Sequence, residues 1–432
     1  MRVVVDTNIA FSAIITPTGT ISDIFSGSCS NNSRITKASF EDYYNITRLT
    51  TDSLTIRSGF TECHYVRPNT KSELCRKYSK NKGPLTNFDA LWNTFNENYT
   101  YFNIREIDWN QSREKYRSKL EQQTTDLEFY KVPSEMVAEQ KECHSSIPAP
   151  ETLKDETDQS DYDIRKLRGS VITMIDENYV DDLKTYNKGI VNWGTIINTI
   201  GCIQVNAFQC LSNYSIDQLF PYDEFWKAYR KKAAESDDYF KDNLDGKKGL
   251  TSRIFQGLRN TRSCVRFNGG GYDSAGLVVL DYFTAKKTVA FSEKARSGDG
   301  FTKPQMVYVE PSGQTYPWTA ILTSFQTASA GETFLLASQS LRKIKAIGSN
   351  THGIFSDVLY KRLPNFWRYR LSPVSYKSAN GVNYERYGIP PNINLDYEKD
   401  PEEFFENLLL DLKNGKRAIK KAINLNAEMN AP

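Results

Sequence analysis

Histidine is scarce: the 432 residues hold three, His64, His144 and His352. Chemistry that needs an imidazole base must draw on one of them. Cysteine is sparse as well. The seven (Cys29, Cys63, Cys75, Cys143, Cys202, Cys210 and Cys264) are scattered, odd in number and never spaced CxxC. This speaks against a zinc ribbon or a disulfide scaffold, while leaving room for one or two bridges. No apolar run reaches about 18 residues, so no membrane-spanning helix is predicted. Neither sign of charge dominates, with 55 basic against 52 acidic residues and a formal charge of +3. Nothing in that balance calls for nucleic acid or an anionic membrane as partner. Internal repeats are also missing. What is abundant is apolar surface, 39% hydrophobic and 12% aromatic residues, enough to bury one large core with one or two smaller units.

Residues 1–30 read as a leader or a borrowed N-terminus. Ile9 to Phe25 is moderately apolar, and Ser26-Gly27-Ser28-Cys29 has the look of a lipoprotein cleavage site. The opening Met1-Arg-Val-Val-Val-Asp-Thr-Asn-Ile also resembles the first strand of PIN-domain ribonucleases, which implies Asp6 as a metal ligand. The further carboxylates such a metal site needs cannot be placed in the next hundred residues. Residues 31–85 carry short β-prone runs broken by Asn, Gly and Pro, a small irregular β module in which His64 is an ordinary surface or packing residue.

From Thr86 the pattern turns helical. Thr86 is read as a cap with Asp89 three residues on, and Phe88, Leu91, Trp92, Phe95 and Tyr99 share one face. Helical stretches at Gln111 to Gln122 and from about Ser134 to Cys143 complete a segment spanning 86–146. The Pro-bearing, acidic residues 147–165 read as a linker. A catalytic α/β domain is expected over 166–395, with β-like runs at Val171 to Ile175, Ile200 to Val205, Gln305 to Val309 and Ile344 to Ile347. A helix is expected between Tyr222 and Ala234. Asp400-Pro401-Glu402-Glu403 opens a C-terminal helix within 396–432: a cap, a proline at the first helical position and acids at the positive end of the dipole.

Two places invite chemistry. Arg266-Phe-Asn-Gly-Gly-Gly271 sets three glycines between a strand and a helix, where backbone N–H groups stabilise an anion or oxyanion. In Thr323-Ser-Phe-Gln-Thr-Ala-Ser-Ala-Gly-Glu332, a β-prone run (Trp318, Ala320, Ile321, Leu322) meets a helical one (Phe334, Leu335, Leu336, Leu341). Ser329 therefore falls on a sharp strand-to-helix turn. The plain alternative is that Thr327 or Ser329 is a helix cap. A serine nucleophile needs a base, a group to orient that base, and oxyanion donors.

These features stand in an order that resembles the tricorn-core and C-terminal processing peptidases, a family of serine peptidases. The resemblance runs over about 86–395. It rests on Phe88 to Trp109, Cys143-His144-Ser145, Arg266-Phe-Asn-Gly-Gly-Gly, Thr327-Ala-Ser-Ala-Gly-Glu332, Gly348-x-x-Thr-x-Gly353 and Tyr384-Glu-x-x-Gly-Ile-Pro-Pro391. It implies a crotonase-like (ClpP/crotonase-type) α/β fold. Ser329 matches the nucleophile, and the N–H of Ala330 with that of Gly270 or a neighbouring glycine matches the oxyanion hole. Ser-Lys relatives place a lysine where this chain has Ile354, so the base implied is His144, oriented by Glu385, with His352 as the fallback. Only about 50 residues separate His144 from the Ile200 strand, too few for an inserted PDZ domain, and the aromatic segment would instead pack over the catalytic domain and form a cleft with it. The chain departs from the family at Arg262-Ser263-Cys264-Val265, at Gln140, Glu142 and Cys143, and at Ser349 and Asn392. The resemblance implies peptide or protein as substrate, no cofactor or metal, and an extracytoplasmic location in the periplasm or cell envelope. A non-catalytic peptide-binding relative and the PIN-type ribonuclease are the alternatives.

Overall fold

The computed structural model describes residues 45–50, 53–58, 61–66, 82–153, 162–186, 191–196, 200–208, 261–264, 266–271, 273–313, 319–397 and 400–429. Asp6, the lipoprotein-like residues 26–29 and the helix expected near 222–234 lie outside them. Among the described residues no helix is long and apolar enough to cross a membrane.

Strands β1 (Asn45–Leu49), β2 (Ser53–Ser58) and β3 (Thr61–Val66) form a three-stranded antiparallel sheet within the β-prone stretch 31–85. Helices α1 (Pro84–Asn98), α2 (Trp109–Arg117) and α3 (Asp126–Ala138) follow. Helix α1 starts two residues before Thr86, with Gly83 as cap and Pro84 at its first turn. Proline there has no N–H to lose and a preset φ, so it outcompetes the Thr86 start. Asp89, expected to serve that cap, instead pairs with Arg117 and Arg113. Helix α3 starts at a capping box, Thr125 with Glu128, and carries Pro133 inside it. The expectation that it begins after the proline is thereby corrected: two reciprocal cap bonds fix the start further upstream.

The aromatic face expected of α1 builds a core. Phe95 and Trp109 lie 5.4 Å apart, Tyr99 and Phe102 4.7 Å, Phe102 and Trp109 5.1 Å. The indole N–H of Trp92 donates to the Trp109 carbonyl, and that of Trp109 to the Trp92 carbonyl. Leu363, Tyr369 and Leu371 close this core from the far end of the sequence, on or beside the hairpin of β13 (Leu359–Arg362) and β14 (Arg368–Leu371).

After helix α4 (Tyr162–Tyr179) the chain builds a seven-stranded mixed sheet. Val171 to Ile175, expected as a strand, lies inside α4. A short apolar run has no period long enough to separate strand from buried helix, and Val171 is fully buried in the core that holds the C-terminal helices. The sheet order is β16 (Ile393–Asn394), β12 (Ile344–Gly348), β11 (Thr319–Thr323), β7 (Thr261–Cys264), β6 (Ile200–Val205), β5 (Val191–Ile196), β4 (Asp181–Tyr186). The first five run parallel and the last two pair antiparallel. Strand β7, which carries the departures at Arg262 and Cys264, is therefore interior to the sheet.

Side chains alternate between the two faces. Ile321 and Ala346 join one core while Ala320 and Ile347 join the other. This two-residue period in strands buried on both sides explains why β11 reads as a continuous apolar run. On the first face lie α5 (Asp273–Leu280), α6 (Ala330–Ser338) and a second, antiparallel sheet of β10 (Gln305–Val309), β8 (Thr288–Ser297) and β15 (Val374–Ser378), with β9 (Gly300–Phe301) paired to β8. Every residue of α6 is buried, Glu332, Thr333 and Ser338 among them.

On the second face lie α4, α7 (Pro401–Leu410) and α8 (Arg417–Met429). The start of α7 is the expected one: Asp400 accepts from the amides of Glu402 and Glu403 at 3.0 and 3.2 Å. Phe404 is fully buried against Phe325, Tyr397 and Phe405. Truncating Phe404 to alanine is expected to cost about 3–5 kcal/mol, read as a lower denaturant midpoint. A loss under about 1 kcal/mol would mean that this core is loosely packed.

Candidate active site

Strand β11 delivers residues 324–329 to the N-terminus of α6 through a turn built by its own hydroxyls. Ser324 Oγ donates to the Arg266 carbonyl at 2.6 Å and accepts from the Gln326 amide, and Thr327 Oγ1 accepts from the Ser324 amide. Ser329 occupies the cap position of α6 with φ 51° and ψ −124°. A serine in this region is strained by roughly 1–3 kcal/mol. Its side chain makes no capping bond, so Ser329 stands at the cap position without capping α6 through its hydroxyl. The hydroxyl sits half-buried on the turn, and the Ala330 amide at the first helical position has no acceptor among the described residues, as the first turn of a helix leaves its amides free.

The glycine loop lies against this turn. The Ala328 amide donates to the Asn268 carbonyl at 3.0 Å. A Cβ on Gly331 would stand 2.7 Å from that carbonyl, and one on Gly270 (φ +115°) 2.6 Å from Ser329 Cβ and 3.0 Å from its Oγ. The Gly270 amide, expected as an oxyanion donor, points at Asn268 Oδ1, 2.9 Å away. The loop and the serine are brought together as expected, but that particular N–H is already engaged here.

A strap over residues 349–355 crosses the turn. Its Ile354 carbonyl accepts from the Ser329 amide at 2.9 Å, and the His352 amide donates to the Thr327 carbonyl at 3.0 Å. Nδ1 of His352 lies 3.0 Å from the Phe325 carbonyl. Glu332, fully buried on α6, accepts from the Gly353 and Ile354 amides at 2.8 and 2.6 Å and from Thr351 Oγ1. Burial pushes its carboxyl up to about 8, against the pull of those donors.

His144 arrives from the other side. Residues 143–146 run beside β14: Ser146 and Arg370 exchange both backbone bonds, and Arg370 also donates to Ser146 Oγ and to the Cys143 carbonyl. Glu142 accepts from the His144 amide and from Ser372 Oγ. The ring is buried, close enough to His352 for their charges to interact, and its Nδ1 has no hydrogen-bond partner among the described residues. Burial first, and then the Arg370 charge, lower its pKa from 6.5 to about 4.

Glu385, expected to orient His144, does not bond to it here. Its side chain is fully buried, paired with Arg105 and accepting from the Phe355 amide at 3.0 Å. Arg105 in turn donates to the Gln140 and Lys141 carbonyls, just ahead of His144. A guanidinium forks across several oxygens at once, and so takes the carboxylate that an imidazole would otherwise share. Burial nonetheless lifts the Glu385 carboxyl to about 7. Sequence reasoning did not single out Arg105, and it quoted Asn268 and Glu332 within motifs without giving either a role. A further signal for Glu332 was an acid amid apolar helical neighbours.

Between the helical segment and the strap runs a cleft of about 500 Å³, lined by Arg105, Ile107, Gln140, Lys141, His352, Ile354 and Arg386 among others. An imidazole that resists protonation sets a pH expectation. Because the folded-state pKa of His144 is depressed, the unfolded chain takes up a proton between pH 6.5 and about 4 that the native state does not, so this group's contribution to stability falls as pH drops through that window. Reaction at Ser329, if His144 is the base, is expected to hold level down to pH 5 and fall with an apparent pKa near 4. A limb at the ordinary imidazole value of 6.5 that persists in Glu385→Gln would contradict this.

Comparison with known proteins bears on the fold and the family resemblance. No curated protein sequence matches the chain. Among solved structures, a candidate peptidase from Parabacteroides merdae ATCC 43184 is 19% identical over 78% of this chain and 98% of its own, with a TM-score of 0.53. Mature CPAF is 9% identical over 83% of this chain and 99% of its own, with a TM-score of 0.54, and mature CPAF complexed with lactacystin is 9% identical over 82% and 100%, with a TM-score of 0.53. At these identities the likeness is one of fold. Residues 265–395 match the model of peptidase family S41 and residues 82–138 that of the tricorn protease C1 domain, so the resemblance to tricorn-core and C-terminal processing peptidases holds over both the helical segment and the part of the chain that carries Ser329.

Proposed function

We propose that the protein is a serine peptidase with a crotonase-like catalytic domain that hydrolyses peptide bonds through an acyl-enzyme on Ser329. The observation that carries this reading is the backbone of Ser329: a non-glycine residue held at φ 51° at a helix start, with its hydroxyl unused as a cap. Strain of this kind persists only where the surrounding structure enforces it. The matches to the S41 and tricorn C1 models support the same reading.

In this mechanism Ser329 Oγ attacks the peptide carbonyl carbon, His144 takes the hydroxyl proton and returns it to the leaving amine, and water then repeats the cycle on the ester. The neutral imidazole that a base requires is favoured by the lowered pKa of His144. Oxyanion donors are the free Ala330 amide and a glycine-loop amide: Gly271, or Gly270 once it turns from Asn268 Oδ1. Glu385 acts on His144 through Arg105 and the 140–141 turn rather than by direct contact. His352 is the alternative base, its Nδ1 held at the Phe325 carbonyl. The scissile bond lies over the Ser329 turn, and the cleft beside the strap, which neither Ser329 nor His144 lines, takes flanking residues of the peptide; the location is extracytoplasmic.

Incubation with a diverse peptide mixture tests the reading. Mass spectrometry is expected to show new internal termini with wild type and none with Ser329→Ala. Intact peptides in both, with peptide retained by the protein, would favour a non-catalytic peptide-binding role.

A further inference from the structure

We propose that Glu332 is a positioning residue for the nucleophile, holding Ser329 in its strained conformation by pinning the strap that crosses the turn. The catalytic half of this proposal rests on the peptidase reading above; the structural half does not.

Three hydrogen bonds close a ring between the Ser329 turn and the strap. The Ser329 amide donates to the Ile354 carbonyl at 2.9 Å, the Ile354 amide donates to the Glu332 carboxylate at 2.6 Å, and the Glu332 amide donates back to the Ser329 carbonyl at 2.8 Å. The carboxylate also takes the Gly353 amide and Thr351 Oγ1. Thr351 is itself tied to Ile389 through its amide at 3.2 Å and its hydroxyl at 2.7 Å. Two successive strap amides and a hydroxyl thus converge on one fully buried acid, one helical turn beyond the serine.

An acid so deep in an apolar helix costs stability unless its oxygens are satisfied. Among the described residues every bond it accepts comes from the strap. The same strap carries the Phe355 amide to Glu385 and the His352 ring to Phe325, so the pin bears on both ends of the candidate site. Without it, the Ser329 amide loses a fixed partner and the serine is free to relax towards an ordinary helix-cap conformation. A misplacement of about 1 Å at a reacting atom costs on the order of 100-fold in rate.

Glu332→Gln tests both halves, with hydrogen exchange over residues 349–355 and fluorophosphonate labelling at Ser329 as readouts. Exchange there is expected to quicken on the order of 10- to 100-fold, the cost of leaving a buried strap amide without its acceptor when a side-chain NH2 replaces one carboxyl oxygen, while residues 288–297 stay unchanged. Labelling and kcat are expected to fall roughly 100-fold with KM within a few fold. Unchanged exchange would overturn the pin. Quickened exchange with full labelling would overturn the positioning of Ser329. A wild type that never labels would overturn the catalytic half alone, since exchange reads the strap whether or not the protein is a peptidase. If Glu332→Gln does not fold, Thr351→Val, which removes one donor, decides by the same two readouts, and Thr351→Ser is expected to restore both.

Discussion

Gly270→Ala is expected to silence the site while leaving the protein folded. The added Cβ would stand 2.6 Å from Ser329 Cβ and 3.0 Å from Oγ, distances at which one of the two must move. Relief by moving the loop is blocked, because the Gly270 carbonyl accepts from the Phe208 amide at 2.8 Å and Asn268 is tied to Val205 and Ala328. The φ of +115° adds strain for any residue with a side chain. Displacing the serine and a glycine-loop donor together is expected to lower kcat on the order of 10²–10³-fold, against a stability loss of only about 1–3 kcal/mol. Steady-state kinetics beside a denaturation curve separates the two. Activity within a few fold of wild type would mean that the loop is not beside the reacting hydroxyl.

Ser329→Ala is expected to have the largest effect of all. In a hydrolase of this design, removing the nucleophile costs on the order of 10⁶-fold in kcat, leaving what binding and oxyanion donors supply. The substitution also removes the hydroxyl without touching the ring of backbone bonds, since the amide and carbonyl of residue 329 make those. Stability is therefore expected to stay the same or rise slightly, a pattern opposite to that of a helix cap, whose loss costs about 0.5–2 kcal/mol. Loss of stability with retained hydrolysis would return Ser329 to the role of a cap.

Local signals in the sequence located the turn and its neighbours. The change from a short β-prone apolar run to a helical apolar period across 318–341 located the strand, turn and helix around Ser329. The proline and acids after Asp400 fixed the start of α7. Where local patterns compete, the reading slipped. Val171 to Ile175 is too short a run to show its period, and Gly83-Pro84 overrode the Thr86 cap. The least legible parts are bonds between residues far apart in the chain: Arg105 with Glu385, Asn268 with the Ser329 turn, and Arg370 beside His144. No periodicity announces them, because they depend on which loops meet once the sheet has formed. For the same reason Glu385, expected to orient His144, is found paired with Arg105 instead.

The most direct test of the central claim is to map the adduct formed with a fluorophosphonate probe. Peptide mapping of the labelled wild type is expected to find a single adduct on Ser329, absent from Ser329→Ala, slowed on the order of 10⁴-fold in His144→Ala and within a few fold of wild type in His352→Ala. An adduct elsewhere, or one that survives in Ser329→Ala, would contradict the claim.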